Sequence, residues 1–101
     1  MTETQPTTIR LHNNDNVVVA RDEIAQGYNV ASEAVAANAM IPAGHKIATL
    51  AIAKDAPVRK YDQIIGFATA DIKPGDHVHT HNVVVKDFDR DYMFGADVTP
   101  V

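Results

Sequence analysis

The chain has 101 residues, of which 46% are hydrophobic and 22% are charged. This size and composition are those of one globular domain. The formal net charge is −4, and the basic residues are scattered along the chain, which argues against a nucleic-acid-binding surface. There is no cysteine, and this excludes disulfides, thiolate metal sites and thiol nucleophiles.

The same features predict a cytoplasmic protein with no membrane or nucleic-acid partner. Secreted domains of this size often depend on disulfides, and this chain cannot form one. The first eight residues are polar and lack the pattern of a signal peptide. No apolar run reaches the roughly 20 residues of a membrane helix.

The N-terminal part of the chain predicts a β-hairpin after a disordered lead-in at residues 1–8. Residues 9–12 alternate apolar and polar side chains, as a half-buried strand does. Residues 13–16 are Asn and Asp, which favour turns, and the apolar residues 17–20 are typical of a buried strand.

A short pattern then recurs four times: an apolar residue, two others, a turn residue, two others and an apolar residue. The turn residue is glycine in three copies and aspartate in one, and both types tolerate the positive φ of a tight turn. We interpret the pattern as one turn type reused between short strands. Its copies are residues 24–30, 41–47, 52–58 and 72–78.

The remaining segments complete a mostly β prediction of seven or eight short strands. Residues 32–40 are rich in alanine and predict either a short helix, with Ser32 as its cap, or a strand or loop of small residues. Residues 46–52 and 64–70 alternate loosely and predict strands. Residues 61–63 predict the turn that precedes the second of these strands.

Three of the five histidines lie at alternate positions, as His77, His79 and His81. On an extended strand all three imidazoles would point to one face, with neighbours about 6.6 Å apart. Two imidazoles at that spacing can converge on one metal ion, whereas the third lies too far along unless the strand bends. The alternative is a solvent-facing polar strand with no ligand.

Two other segments carry weaker signals. His45 and Lys46 follow the proposed turn at Gly44 and could bind a carboxylate, although an ordinary exposed turn explains them as well. Residues 88–94 contain three of the six aromatic side chains. This aromatic tail is expected to pack back on the domain or, with slight preference, to dock on a partner surface.

The sequence resembles a known family over roughly residues 9–98. The N-terminal SAF-type domain of the altronate and galactarate dehydratases is similar at residues 41–46, 61–66, 68–72 and 75–82, and residues 88–95 resemble the connection that follows this domain. The small subunit of the sulfolactate sulfo-lyases is similar too. The resemblance implies a mostly β, compact β-clip (SAF-like) domain of short strands with at most one short helix over residues 9–86. Residues 87–101 would then lead to a larger catalytic domain or subunit.

The function implied by the resemblance is that of a hydro-lyase. The chain would be the small subunit or N-terminal domain of a sugar-acid dehydratase that eliminates water to give a 2-keto-3-deoxy acid, and it would be inactive without its large partner. The alternatives are a sulfolactate sulfo-lyase small subunit and a non-catalytic β-clip module that binds a carboxylate or a partner protein. A homo-oligomer is left open, because small β domains often have free edges.

The resemblance also implies site residues. Catalysis would fall to His45, His79 and His81, and substrate binding to Lys46 and Asn82. A divalent metal, Fe2+ or Mn2+ with Zn2+ as a third candidate, would be held by His77 and His79, since histidine with oxygen ligands suits such ions.

Overall fold

The computed structural model describes residues 7–85, and it confirms a mostly β domain of short strands. The strands are β1 (Thr8–Ile9), β2 (Val17–Ala20), β3 (Asn29–Val30), β4 (Val35–Ala36), β5 (Lys46–Ala48), β6 (Pro57–Lys60), β7 (Gln63–Ala68), β8 (His77–Val78) and β9 (Val83–Val84). One 3-10 helix, η1, spans Ala31–Glu33. Within residues 7–85, no helix is long and apolar enough to cross a membrane.

The predicted N-terminal hairpin is present, with β1 antiparallel to β2. Thr8 pairs with Ala20 and its side chain is 5% exposed, so the ordered chain reaches into the segment predicted as a lead-in. The turn between the strands buries Asp15, whose carboxylate accepts the backbone N–H groups of Tyr61 and Asp62 at 2.9 and 2.7 Å. One buried carboxylate therefore ties this hairpin to the β6–β7 turn.

Three small sheets make up the domain. The largest has the strand order β1-β2-β5-β8, and the others are β3-β4 and β6-β7-β9. All pairings between these strands are antiparallel. Strand β5 lies between β2 and β8, so the residues at its start are held from both sides.

The repeated pattern predicted from the sequence is confirmed as a repeated turn. Gly27, Gly44 and Gly75 have φ values of 89°, 85° and 93°, and Asp55 has a φ of 73°. In each copy a backbone N–H donates to the carbonyl three residues earlier, as from His45 to Pro42 at 3.1 Å. The glycines are needed because ordinary side chains strain this left-handed backbone.

The four copies also form two matching pairs. Ile24 and Ile41 exchange two backbone hydrogen bonds, and Ile52 and Ile72 do the same. The apolar residues that begin and end each copy are all 3% exposed or less. Each copy of the turn therefore contributes two aliphatic side chains to the core, and their burial stabilises the turn.

The core has two parts. The first is built around Ile24, Ile41 and Ile47, and the second around Val58, Ile72 and Val78. Strand β5 contributes to both, because Ile47 lies in the first part and Ala48 in the second, and β8 adds Val78 to the second part. The start of β5 and of β8 is therefore fixed by packing as well as by hydrogen bonds.

The alanine-rich segment is not an α-helix, and its second interpretation was the right one. Only Ala31–Glu33 is helical, and it ends at Ala34 with φ 58° before strand β4 begins. Val35 and Ala37 are buried against the first part of the core. Tertiary packing of alternate small residues overrides alanine's helix propensity here. The predicted aromatic tail lies outside the described residues.

Candidate active site

His45 is placed by one of the repeated turns. The N–H of Gly44 donates to the carbonyl of Ala20, and the N–H of Ala20 donates to the carbonyl of His45, both at 2.8 Å. These bonds pin the turn to strand β2. His45 therefore lies immediately before β5, on the sheet rather than in a free loop.

The segment from His77 to His81 was predicted as one extended strand, and this was wrong. Strand β8 ends at Val78, and the chain turns so that the N–H of Asn82 donates to the carbonyl of His79 at 3.1 Å. The bend that the sequence analysis treated as an exception is thus present. It brings all three imidazoles of the segment near one another.

Four imidazoles, those of His45, His77, His79 and His81, form what we call the histidine cluster. The rings of His45 and His79 stack with centroids 3.7 Å apart and an interplanar angle of 11°. His45 also stacks on His77 at 5.0 Å, and His81 tilts against His77 at 4.9 Å. The β5–β8 register, in which Lys46 pairs with Val78, explains why His45 meets His79.

One hydrogen bond joins two members of the histidine cluster directly. Nδ1 of His45 and Nε2 of His77 lie 2.8 Å apart. One ring must donate and the other accept, so the two neutral rings share one proton between these atoms. The pair can hold and transfer a proton without moving its backbone.

Among residues 7–85, no carboxylate forms a salt bridge with the cluster. Burial lowers the pKa of His77, with further lowering from His81, His45, His79 and Lys46. Burial also lowers the pKa of His79, together with His45, Lys46 and His81. Among residues 7–85, the ion pairs lie elsewhere: Arg10–Glu33, His12–Asp62 and Arg21–Asp22. The neutral forms of His77 and His79 are therefore favoured.

Acid should destabilise the domain through these two histidines. Their folded-state pKa values lie below the ordinary value of 6.5, so the unfolded chain binds more protons below pH 6.5. The stability is fully present above that pH and is lost as the pH falls through 6.5 toward the folded-state values. Urea unfolding at pH 7.5 and at pH 5.5 should show a lower free energy of unfolding at pH 5.5. The difference should shrink in the double variant His77→Gln and His79→Gln, and an undiminished difference would contradict this origin.

Asn82 shapes the turn that carries the cluster. Its Oδ1 accepts the N–H of His79 at 3.0 Å, and its Nδ2 donates to the carbonyl of His77 at 2.8 Å. Its own carbonyl accepts the N–H of Thr69 at 3.0 Å. The geometry supports an orienting role for Asn82, and the predicted contact with substrate stays a prediction.

Removing this amide should loosen the cluster. Asn82→Ala deletes two hydrogen bonds of about 1 kcal/mol each, and the His79 N–H and His77 carbonyl must then find other partners. We expect a loss of about 2 kcal/mol in the free energy of unfolding and altered ring resonances of His77 and His79 in NMR spectra. Asn82→Asp, which still accepts from His79 but cannot donate to His77, should lie between Asn82→Ala and the parent. Unchanged ring resonances in Asn82→Ala would refute the orienting role.

A cleft of about 180 Å3 opens beside the histidine cluster. Lys46, His79 and Thr80 supply its polar wall, and Ile65, Val83 and Val85 its apolar wall. Burial lowers the pKa of Lys46, and the charge of Lys60 lowers it further. No sequence pattern indicated a role for Lys60 or for the apolar wall, because only the packing of the sheets brings them near Lys46.

The described residues do not make up a metal centre by themselves. In residues 7–85, no three side chains of His, Asp or Glu are placed to hold one ion. The rings of His77 and His79 lie parallel, 8° apart, with centroids at 5.9 Å, whereas ligands of one ion point their nitrogens at a shared centre. The metal role predicted for His77 and His79 stays a prediction, and it would need donors from elsewhere.

The fifth histidine lies apart from the cluster. Nδ1 of His12 accepts the N–H of Asn14 at 3.0 Å, and its Nε2 is 3.8 Å from Asp62 Oδ2. The side chain is exposed. His12 therefore has a local structural role in the hairpin turn, and it serves as a control for the cluster.

The chain is similar in sequence to known enzymes. Altronate dehydratase of Escherichia coli (strain K12) is 42% identical over 92 residues, and that of Bacillus subtilis (strain 168) is 37% identical over 76 residues. These alignments cover 88% and 73% of this chain but only 19% and 15% of the two enzymes. The (2R)-sulfolactate sulfo-lyase subunit alpha of Chromohalobacter salexigens is 48% identical over 46 residues, which are 46% of this chain and 49% of that subunit.

The chain therefore spans less than a fifth of the length of either altronate dehydratase. A family model described as the altronate/galactarate dehydratase SAF domain matches residues 6–86. That match includes every member of the histidine cluster and the whole wall of the cleft. The chain belongs to the altronate/galactarate dehydratase SAF domain family.

Proposed function

We propose that this chain is the small β-clip part of a sugar-acid dehydratase and acts with a much larger catalytic part. The reaction would remove water from a sugar acid and give a 2-keto-3-deoxy acid. The likeness to two altronate dehydratases over a small fraction of their length supports both the chemistry and the need for a larger part. The observation that carries the proposal is the histidine cluster, which opens directly onto the cleft at His79.

The chemistry requires a base, an acid and positive charge. A proton next to a carboxylate is weakly acidic, so groups that stabilise the enediolate must help the base. His79 suits the base, because it lines the cleft and its lowered pKa keeps the ring neutral near pH 7. Lys46 supplies positive charge on the same wall, where it would hold the substrate carboxylate.

The leaving hydroxyl group needs a proton of its own. The His45–His77 hydrogen bond provides a pair that can hold one proton between two rings, and His45 stacks on His79. We assign the acid to His45, with His77 setting its tautomer. His81 is exposed at the rim beside His77, where it would exchange protons with solvent.

A metal role for His77 and His79 is a separate part of the proposal. Fe2+ or Mn2+, or Zn2+, would stabilise the enediolate as a Lewis acid. Donors from the large part would have to complete the coordination. The steps assigned above to His79, Lys46 and His45 do not depend on it.

The sulfo-lyase alternative has an observation in its favour. Two sulfo-lyase alpha subunits, from Chromohalobacter salexigens and Paracoccus pantotrophus, are 48% and 44% identical over 46 and 50 residues. The names of both relatives describe them as alpha subunits. Their alignments cover half of this chain or less, whereas the altronate dehydratases match over most of it.

One assay separates these functions. The chain, alone and combined with its large part, should be incubated with altronate, galactarate and sulfolactate, and 2-keto acid and sulfite should be measured separately. We expect 2-keto-3-deoxy acid from a sugar acid only when both parts are present. Sulfite release from sulfolactate would favour the sulfo-lyase function. Turnover by the isolated chain would contradict the two-part proposal, and no turnover by the combined parts would leave the non-catalytic binding module as the better description.

A further inference from the structure

The environment of Lys46 differs from that of an ordinary surface lysine. Lys46 is the first residue of β5 and pairs with Val19 on one side and Val78 on the other. Its side chain is half-buried and lines the cleft together with Ile65 and Val83. Lys54 and Lys73, by contrast, are exposed in the turns of the repeat.

The charges around Lys46 disfavour its ammonium form. Burial lowers its pKa, and the charge of Lys60 on strand β6 adds to that effect. His79 faces the same cleft, and the other imidazoles of the cluster lie behind it. Among the described residues, no carboxylate forms an ion pair with Lys46. A desolvated lysine beside a second cation is a recognised way to make an amine nucleophilic at neutral pH.

We propose that Lys46 is an amine nucleophile that condenses with the carbonyl group of a 2-oxo acid bound in this cleft. The product is a Schiff base between the lysine nitrogen and the carbonyl carbon. The product of the proposed dehydratase is a 2-oxo acid. The identity of the natural carbonyl compound therefore rests on the proposed function, whereas the reactivity of Lys46 does not. The condensation itself needs no dehydratase turnover.

The condensation requires only the lysine amine, the carbonyl compound and one proton from solvent. The neutral amine forms a C–N bond to the carbonyl carbon while the C=O π electrons move to oxygen. That oxygen takes one proton from the amine and one from solvent and leaves as water, which gives a protonated imine. His79 lies in the same cleft and can carry these protons, and the charge of Lys60, which acts on Lys46, would also attract the carboxylate of the 2-oxo acid.

The substrate class follows from the two walls. A cleft of about 180 Å3 is larger than the roughly 150 Å3 cavity that holds a benzene molecule, so a short-chain 2-oxo acid fits. The charge of Lys60, which acts on Lys46, favours a carboxylate next to the carbonyl group. The apolar wall of Ile65, Val83 and Val85 would contact the alkyl chain of the 2-oxo acid.

Reductive trapping tests the proposal on the isolated chain. Pyruvate and cyanoborohydride are added near pH 7, the reductant delivers hydride to the imine, and peptide mass spectrometry locates the stable secondary amine. A lysine whose pKa is lowered has a larger neutral fraction near pH 7. We expect Lys46 to be labelled several-fold more than Lys54 or Lys73.

Two variants serve as controls. Lys46→Arg keeps the charge and should abolish the preferred adduct. Lys60→Gln should slow its formation several-fold and raise the pH at which half the maximal rate is reached. Equal labelling of Lys46, Lys54 and Lys73 in the parent chain would overturn the proposal, and this comparison needs no folded variant. Dehydratase turnover of the combined parts is measured separately, so either proposal can fail without the other.

Discussion

His79→Ala should lower kcat/KM of the complete two-part enzyme by about 10²- to 10⁴-fold, the usual contribution of a general base. The ring that is removed stacks 3.7 Å from His45 and lines the cleft. The fold should survive, because the hydrogen bond from residue 79 to Asn82 uses the backbone N–H. Steady-state kinetics with altronate, together with urea unfolding of the variant, measures both effects.

A matched control is available in the same chain. His12→Ala removes an imidazole as well, but His12 is exposed and contacts Asn14 and Asp62 rather than the cluster. Its kcat/KM should stay within about twofold of the parent, as expected of a surface change remote from the site. If His79→Ala also keeps its kcat/KM, the histidine cluster has no catalytic role and the proposed function loses its main support.

The pH profile adds a further readout to the same variant. A general base must be neutral to act, so kcat/KM of the parent should fall as the pH drops through the lowered pKa of this ring. His79→Ala should lose that acidic limb and keep only the residual rate. If the role of His79 is only structural, the variant should have a lower kcat/KM, but its kcat/KM should still fall at the same pH as in the parent.

The repeated turn shows what the sequence could predict. Glycine or aspartate at one fixed place, with aliphatic residues three positions to either side, predicted four tight turns. Gly27, Gly44, Asp55 and Gly75 all have positive φ. The prediction succeeded because both requirements act within seven residues. The positive φ of the turn favours glycine or aspartate, and burial favours aliphatic residues on either side.

The histidine segment shows what the sequence could not predict. Alternation from His77 to His81 favoured a strand, but Asn82 bonds back to His77 and His79 and bends the chain. Alternation of residue types does not show whether a nearby side chain will hydrogen-bond to the backbone in place of a neighbouring strand. The meeting of His45 with His79 depends on strand register, and the effect of Lys60 on Lys46 depends on how two sheets pack; no local pattern specified either.

Gly75→Ala should have the largest effect on stability of any single-methyl change at the repeated turns. Gly75 has φ 93° and is buried, and a Cβ there would collide with the backbone carbonyl oxygen of Ala36. The left-handed backbone costs about 1–2 kcal/mol, and overpacking adds about 1–3 kcal/mol. A loss of about 2–5 kcal/mol is a large part of the 5–15 kcal/mol that a small domain has.

Gly44→Ala is the matched control, because its φ of 85° is nearly the same and no atom lies within 4 Å of the added Cβ. Urea unfolding of both variants should therefore show a loss of only about 1–2 kcal/mol for Gly44→Ala and a clearly greater loss for Gly75→Ala. Equal losses would mean that segment 35–38 yields to the new methyl group. In that case the carbonyl of Gly75 could no longer hold the N–H of Asn38 as it does now, at 2.9 Å. Because the Gly75 turn leads directly into His77, a backbone shift there should also alter the His45–His77 contact, and the ring resonances of these two histidines would register it.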